Sequence, residues 1–252
     1  MNRKFLSKVL IFTAVFALFS CAAKWKIVET SSTRIAIDGT KDAIANKQYI
    51  NYLQTISKEM NEHMKVVIGQ SAQNMAADRP ESLLSNFTSD VMREVAAQVL
   101  KQPIDIGIMN IGGLRKQISK GDVTVRDIYE LMPFDNELVV IWLRGDNLQK
   151  VIDEIAAKNG EGISGMQMII NNRKAENVTV GGKTIDVNKL YTIATNDFMA
   201  GGNDELYHLK NYVQLEKMGL ILRDIFIETF ENATKQGKII DAKLDGRITI
   251  KN

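Results

Sequence analysis

Apolar residues recur along the chain with helical spacing in several stretches. In the first stretch, Tyr49, Tyr52 and Ile56 fall on one face of an amphipathic helix. A second helix begins at Pro80, because proline suits the first helical turn. The predicted helices cover about 42–64, begin at Pro80 and at Gly145, and include a long helix with Leu215, Met218, Leu222, Ile225 and Phe226 inward.

Short apolar runs bounded by turn residues predict strands between these helices. The run over 138–143 is continuous, as expected for a strand buried on both faces. The predicted strands lie at 66–68, 104–109, 138–143, 166–171, 176–180, 189–195 and 248–250, with a short one at 34–37. Because strands and helices do not alternate regularly, the sequence predicts a single mixed α/β (α+β) domain.

The first twenty residues have the pattern of an export signal. A basic start with Lys4 and Lys8 precedes an apolar run over 9–19, which is too short for a lasting membrane span. The run ends at Cys21, the only cysteine, and resembles a bacterial lipoprotein signal. This resemblance implies cleavage before Cys21 and a lipid on its thiol; the alternative is an ordinary cleaved signal. The predicted boundaries are a signal at 1–20, a tether at 21–40 and a domain at 41–252, anchored to the cell envelope.

Charge and histidine content exclude some function classes. Lys and Arg number 32 against 30 Asp and Glu, so a formal charge of +2 gives no electrostatic argument for a nucleic-acid partner. The two histidines, His63 and His208, are far apart and lack flanking ligand motifs, which favours surface or packing roles over metal binding. We therefore expect no cofactor in this chain.

Three loop segments carry candidate chemistry, because each places polar groups and a turn where an apolar strand ends in a loop. Paired glycines let a backbone approach a ligand closely, and an arginine offers a planar fork of donors. Alone, each segment has an ordinary explanation as a turn, a core residue or a loop cap. The candidate residues are Asn110, Gly112, Gly113 and Arg115 in the first segment, Phe134 and Asn136 in the second, and Phe198 and Asp204 in the third.

In their order and spacing, these segments resemble the C-terminal domain of the 5'-nucleotidase family. Residues 105–115 are similar to its strand leading into Asn-Gly-Gly-Gly-Ile-Arg, and 121–136 resemble its Gly-Asp-Ile-Thr to Pro-Phe-x-Asn segment. The resemblance runs from the helix at about 42 to the last strand, and implies a mixed sheet flanked by helices after a long first helix. The chain departs from the pattern at Ile111 and Glu205, where the family has glycine.

The resemblance implies a nucleoside or nucleotide site. Phe134 and Phe198 match the two phenylalanines that sandwich the base, and a flat base stacks well on aromatic rings. Asn110 matches the residue that hydrogen-bonds the base edge. Arg115 is expected to reach the ribose hydroxyls or fix the nucleotide, and Asp204 to accept a hydrogen bond from the ribose.

The resemblance also implies that the family's hydrolysis reaction takes place in a different domain. Members hydrolyse phosphate esters with two metal ions bound by an N-terminal metallophosphoesterase domain. This chain offers no matching Asp, His and Asn set, so we expect it to be inactive alone and expect divalent metals only in a partner. Three hypotheses follow: one half of an enzyme with a separate metallophosphoesterase subunit, an envelope protein that binds nucleosides without hydrolysis, or a structural module that has lost its ligand site.

Overall fold

The computed structural model describes residues 26–36 and 46–251. The chain divides into two units after Tyr52. Residues 26–36 form neither helix nor strand, so the predicted strand at 34–37 is absent from its described part. The predicted signal, Cys21 and the start of the first helix lie outside the described residues.

Helices and strands follow one another along the rest of the chain, much as the sequence pattern predicts. The helices are α1 (Lys47–Met64), α2 (Leu83–Leu100), α3 (Val125–Leu131), α4 (Gly145–Ala157), α5 (Asp197–Ala200) and α6 (Leu222–Lys235), with short 3₁₀ helices at Ile111–Gly113 and Tyr207–Asn211. The strands are β1 (Val67–Ser71), β2 (Ile106–Met109), β3 (Gly121–Thr124), β4 (Glu137–Arg144), β5 (Gly162–Ser164), β6 (Met166–Asn171), β7 (Lys174–Val180), β8 (Lys183–Thr184), β9 (Leu190–Asn196), β10 (Gln214–Ile221) and β11 (Ile248–Ile250).

The largest sheet brings three loops to one edge. Its strands lie in the order β10-β4-β9-β2-β5, with β2 parallel to β9 and the other neighbours antiparallel. Because β4 runs against β9, Leu138 near the start of β4 lies opposite Asn196 at the end of β9. The loop before β4 and the loops after β2 and β9 therefore emerge together.

Two smaller sheets complete the mixed α/β fold. One pairs β1 with β3 in antiparallel register, and the other has the order β11-β6-β7-β8, with β11 parallel to β6. The fold class predicted from the sequence is confirmed.

The main sheet separates two hydrophobic cores. Along β4, Leu138 and Val140 pack into a core that contains Phe87, Phe226 and Phe230 from α2 and α6. The alternate β4 residues Val139, Ile141 and Leu143 pack into a second core with the apolar face of α4. This alternation confirms that the continuous apolar run is buried on both faces.

The predicted long helix is wrong at its start. Leu215 and Met218 lie in β10, which pairs with β4, and the helix begins only at Leu222. The register of β10 shifts between Lys217 and Ile221, where Gly219 has a positive φ of 67°. Such a bulge adds a residue to the alternation, so that apolar positions acquire a helix-like spacing. The predicted loop at 160–165 likewise contains the short strand β5.

Candidate functional site

The three predicted loop segments border one cavity of about 220 Å³ at the converging edge of the main sheet. Larger grooves of about 510 and 540 Å³ lie along α2. We place the site in the smaller cavity because aromatic and polar side chains from three loops converge there. Its lining consists of Asn110, Gly112, Gly113, Arg115, Phe134, Asn136 and Phe198.

Asn110 forms the buried polar end of this cavity. It follows β2 directly, and its Oδ1 accepts a hydrogen bond from Asn196 Nδ2 (3.2 Å). The Asn110 side chain crosses the turn above Gly113, where a Cβ would stand 2.9 Å from Oδ1. A larger residue at this position would therefore force the Asn110 side chain to move.

Asn196 is a residue of the site that the sequence interpretation missed. It is fully buried at the end of β9, and its Oδ1 accepts from the Met199 N–H (2.8 Å), which caps α5. Asn196 therefore joins the helix that carries Phe198 to the Asn110 side chain. The signal in the sequence was an asparagine placed directly after an apolar strand, which is typical of a helix N-cap.

The two phenylalanines of the cavity differ from those of the core. Phe134 is 41% exposed and Phe198 is 46% exposed, whereas Phe226 and Phe230 are fully buried. The Arg115 guanidinium carbon lies 5.1 Å from the centre of the Phe134 ring, in a cation–π contact. Phe134 precedes β4 instead of following a strand as expected, and the antiparallel pairing brings it to the same edge as Phe198.

Hydrogen bonds fix the loop of Phe134 to its neighbours. The Glu137 N–H donates to Asp197 Oδ1 (3.1 Å), which ties the start of β4 to α5. The backbone oxygen of Asn136 accepts from the Leu222 N–H (2.9 Å) at the start of α6. The loop of Phe134 is thus tied both to α5, which carries Phe198, and to the start of α6.

Asp204 is the one predicted residue that does not line the cavity. Its Oδ2 lies beside Gly112, 3.4 Å from where a Cβ on that glycine would stand. Lys158 Nζ donates to the Asp204 backbone oxygen (2.6 Å) and to Oδ1 (3.1 Å). The remaining oxygen, Oδ2, is buried without a hydrogen-bond partner.

A buried carboxylate, Glu161, accepts a hydrogen bond from the backbone of the glycine turn. Its Oε2 accepts from the Ile111 N–H (2.7 Å), and its Oε1 pairs with Arg79 and with Lys158 (2.9 Å). Burial would lower the pKa of Lys158, but hydrogen bonds with Glu161 and Asp204 outweigh it and raise the pKa above its ordinary value.

No cluster of three or more His, Cys, Asp or Glu side chains suited to a metal ion occurs among residues 26–36 and 46–251. His63 is exposed near the end of α1, and His208 Nδ1 lies 2.6 Å from Glu154 Oε1. Within the same residues, no helix is both long enough and apolar enough to cross a membrane.

Proteins with related sequences include 5'-nucleotidases and a trifunctional nucleotide phosphoesterase protein. The chain is 25% identical to protein UshA of Yersinia enterocolitica over 194 residues, covering 75% of this chain and 35% of that protein. It is 27% identical over 217 residues to the trifunctional nucleotide phosphoesterase protein YfkN of Bacillus subtilis, covering 80% of this chain and 14% of that protein. The chain thus spans about a third or less of the length of these relatives.

Solved structures share the fold. A 5'-nucleotidase precursor from Thermus thermophilus matches with a TM-score of 0.69 and 25% identity, covering 79% of this chain and 42% of that one. The NAD nucleotidase of Haemophilus influenzae matches in fold with a TM-score of 0.60 at 19% identity, covering 82% and 42%. The family model of the 5'-nucleotidase C-terminal domain matches residues 66–211, more than half of the chain. This chain belongs to the 5'-nucleotidase C-terminal domain family.

Proposed function

We propose that this domain recognises the nucleoside part of a 5'-nucleotidase substrate, with the base held between Phe134 and Phe198. The observation that carries the proposal is that both rings border one cavity and are about half exposed. A ring that stacks on a base needs an accessible face, and each stacking contact contributes about 1–3 kcal/mol.

Asn110 and Arg115 supply the polar recognition in this proposal. Because Asn110 Oδ1 already accepts from Asn196, its amide nitrogen is the group that donates to the base edge. Arg115, which lies over the Phe134 ring, donates to the ribose hydroxyls or the phosphate. Such groups discriminate strongly, because a ligand without the matching atoms leaves them unpaired.

Hydrolysis is supplied, in this proposal, by a separate metallophosphoesterase subunit. Such a subunit would hold two divalent metal ions that supply the hydrolytic chemistry, while Phe134, Phe198, Asn110 and Arg115 of this domain would hold the nucleotide. The family assignment supports this division, since the matching part of the relatives is their C-terminal domain.

The proposal places the protein at the bacterial cell envelope. The basic and apolar leader that ends at Cys21 supports export and a lipid anchor. Cys21 and the leader lie outside the described residues.

Calorimetric titration with adenosine and with AMP tests the proposed recognition. We expect saturable binding of one nucleoside per chain, because one cavity carries the aromatic pair. The absence of binding to adenosine, guanosine, cytidine, uridine and their monophosphates would contradict the proposal.

A further inference from the structure

A row of four charged side chains lies next to the glycine turn of the cavity. It runs from Arg79 to Glu161, then to Lys158 and Asp204, with alternating charge. Glu161 has a fully buried side chain, and the Lys158 side chain is 11% exposed. The residues come from the segment before α2, the end of α4 and the loop after α5, so the row joins three stretches distant in sequence.

Two residues of this row, Glu161 and Asp204, contact the same glycine turn of the cavity. Glu161 accepts the Ile111 N–H, at the first residue of the turn. Asp204 places its Oδ2 beside Gly112, the next residue. The row therefore contacts two consecutive residues of the turn, and one of them, Gly112, lines the cavity.

Lys158 determines which oxygen of Asp204 is left without a partner. It takes Oδ1 and the backbone oxygen of Asp204, and Glu161 on its other side holds the ammonium group in place. Asp204 Oδ2 stays buried and unpaired. An unpaired buried carboxylate oxygen is unfavourable, and a hydroxyl donor arriving beside Gly112 would satisfy it.

We infer that Lys158 and Glu161 are positioning residues that hold Asp204 with Oδ2 ready to accept a hydrogen bond from a ribose hydroxyl. The inference rests on the proposed function, because it needs a nucleoside in the cavity. According to this inference, the preference for a ribose with free hydroxyls depends on Lys158 and Glu161 as well as on Asp204.

The test compares the binding of adenosine with that of 2',3'-dideoxyadenosine, which keeps the base and lacks both ribose hydroxyls. Lys158→Met is expected to weaken adenosine binding about tenfold and to leave dideoxyadenosine binding unchanged. Asp204→Asn is expected to behave in the same way, and the double variant to be no weaker than either single variant. Lys150→Met, an exposed lysine on the same helix, is the matched control and should bind like the wild type.

The possible outcomes separate this inference from the proposed function. If Lys158→Met weakens both nucleosides equally, the inference is overturned while base recognition stands. If the effects of Lys158→Met and Asp204→Asn add in the double variant, the two residues act independently and the inference is overturned. If the wild type binds neither nucleoside, the inference and the proposed function both fail.

A second variant covers the case in which Lys158→Met does not fold. Lys158→Gln keeps an amide nitrogen that can donate to Asp204 but removes the positive charge that pairs with Glu161 and Asp204. We expect it to fold and to reduce the preference for adenosine over dideoxyadenosine. A preference equal to that of the wild type would overturn the inference.

Discussion

At the residue scale, the turn after α5 contains two consecutive non-glycine residues with left-handed backbone. Asp204 has a φ of 55° and Glu205 a φ of 61°. Aspartate tolerates this region because its short side chain bonds locally, whereas glutamate does not share that advantage. Glu205 therefore holds a strained conformation.

Glu205→Gly should relieve this strain. The left-handed conformation costs an ordinary residue roughly 1–2 kcal/mol. Glycine avoids this cost, but its larger conformational entropy in the unfolded chain offsets part of the gain in stability. We expect the free energy of unfolding in urea to rise by about 0.5–1 kcal/mol. Glu205→Ala removes the same carboxylate but keeps a Cβ, so it serves as the control. Equal stability of the glycine and alanine variants would argue against strain at this turn.

The residues that line the cavity were easier to predict than those that support it. Phe134 and Phe198 were identified through the resemblance to the 5'-nucleotidase C-terminal domain, which assigns both positions to the base site. Glu161 sits between two glycines and Lys158 ends a helix, which in sequence is typical of solvated surface positions. Only the packing of three distant loops makes them internal, and a single sequence carries no signal of that contact.

At the element scale, strands and helices whose apolar residues recur at a regular spacing were predictable. Elements in which that spacing is interrupted were not. The run of β4 identified a central strand because its residues are apolar on both faces. The bulge of β10 near Gly219 hid an edge strand inside an apparent helix. Short elements such as α3 were also missed, because seven residues give too few turns for a period to show.

Capping stabilises the short helix α3. Thr124 Oγ1 accepts from the Asp127 N–H (3.3 Å), and Asp127 Oδ2 accepts from the Thr124 N–H (2.8 Å), which forms a capping box. Burial would raise the pKa of Asp127, but hydrogen bonds from Thr124 and Lys116 outweigh it and lower the pKa below its ordinary value of 3.8. The carboxylate therefore stabilises the folded state only while it is ionised.

Asp127→Asn should lower the free energy of unfolding near neutral pH, and the loss should be smaller at acidic pH. A group with a lowered folded pKa contributes stability above its unfolded pKa, and this contribution is lost as the pH falls through the folded pKa. Urea unfolding from about pH 7 to about pH 3 should show the gap between variant and wild type narrowing below about pH 4. Asp153→Asn, at an exposed position of α4, is the control. A gap that stays constant down to pH 3 would contradict this account.

At the scale of the whole molecule, the proposed lipid anchor makes attachment to the envelope depend on Cys21. Cys21→Ser should move the protein from the membrane fraction to the soluble fraction, because serine cannot carry the thioether-linked lipid. One acyl chain binds membranes only marginally, so we expect more than one chain on the mature terminus. Ser20→Ala keeps a small residue before the cysteine and should stay in the membrane fraction. Unchanged partitioning of Cys21→Ser would contradict a lipid anchor.

The central claim is that Phe134 and Phe198 hold a nucleobase, and adenosine titration of the two alanine variants tests it most directly. Phe134→Ala and Phe198→Ala should each weaken binding by about 1–3 kcal/mol. Each should lose much less folding stability than the roughly 3–5 kcal/mol expected for a buried core phenylalanine such as Phe230. Phe87→Leu, a change within the core, should leave binding intact. Wild-type affinity in both alanine variants would contradict the account.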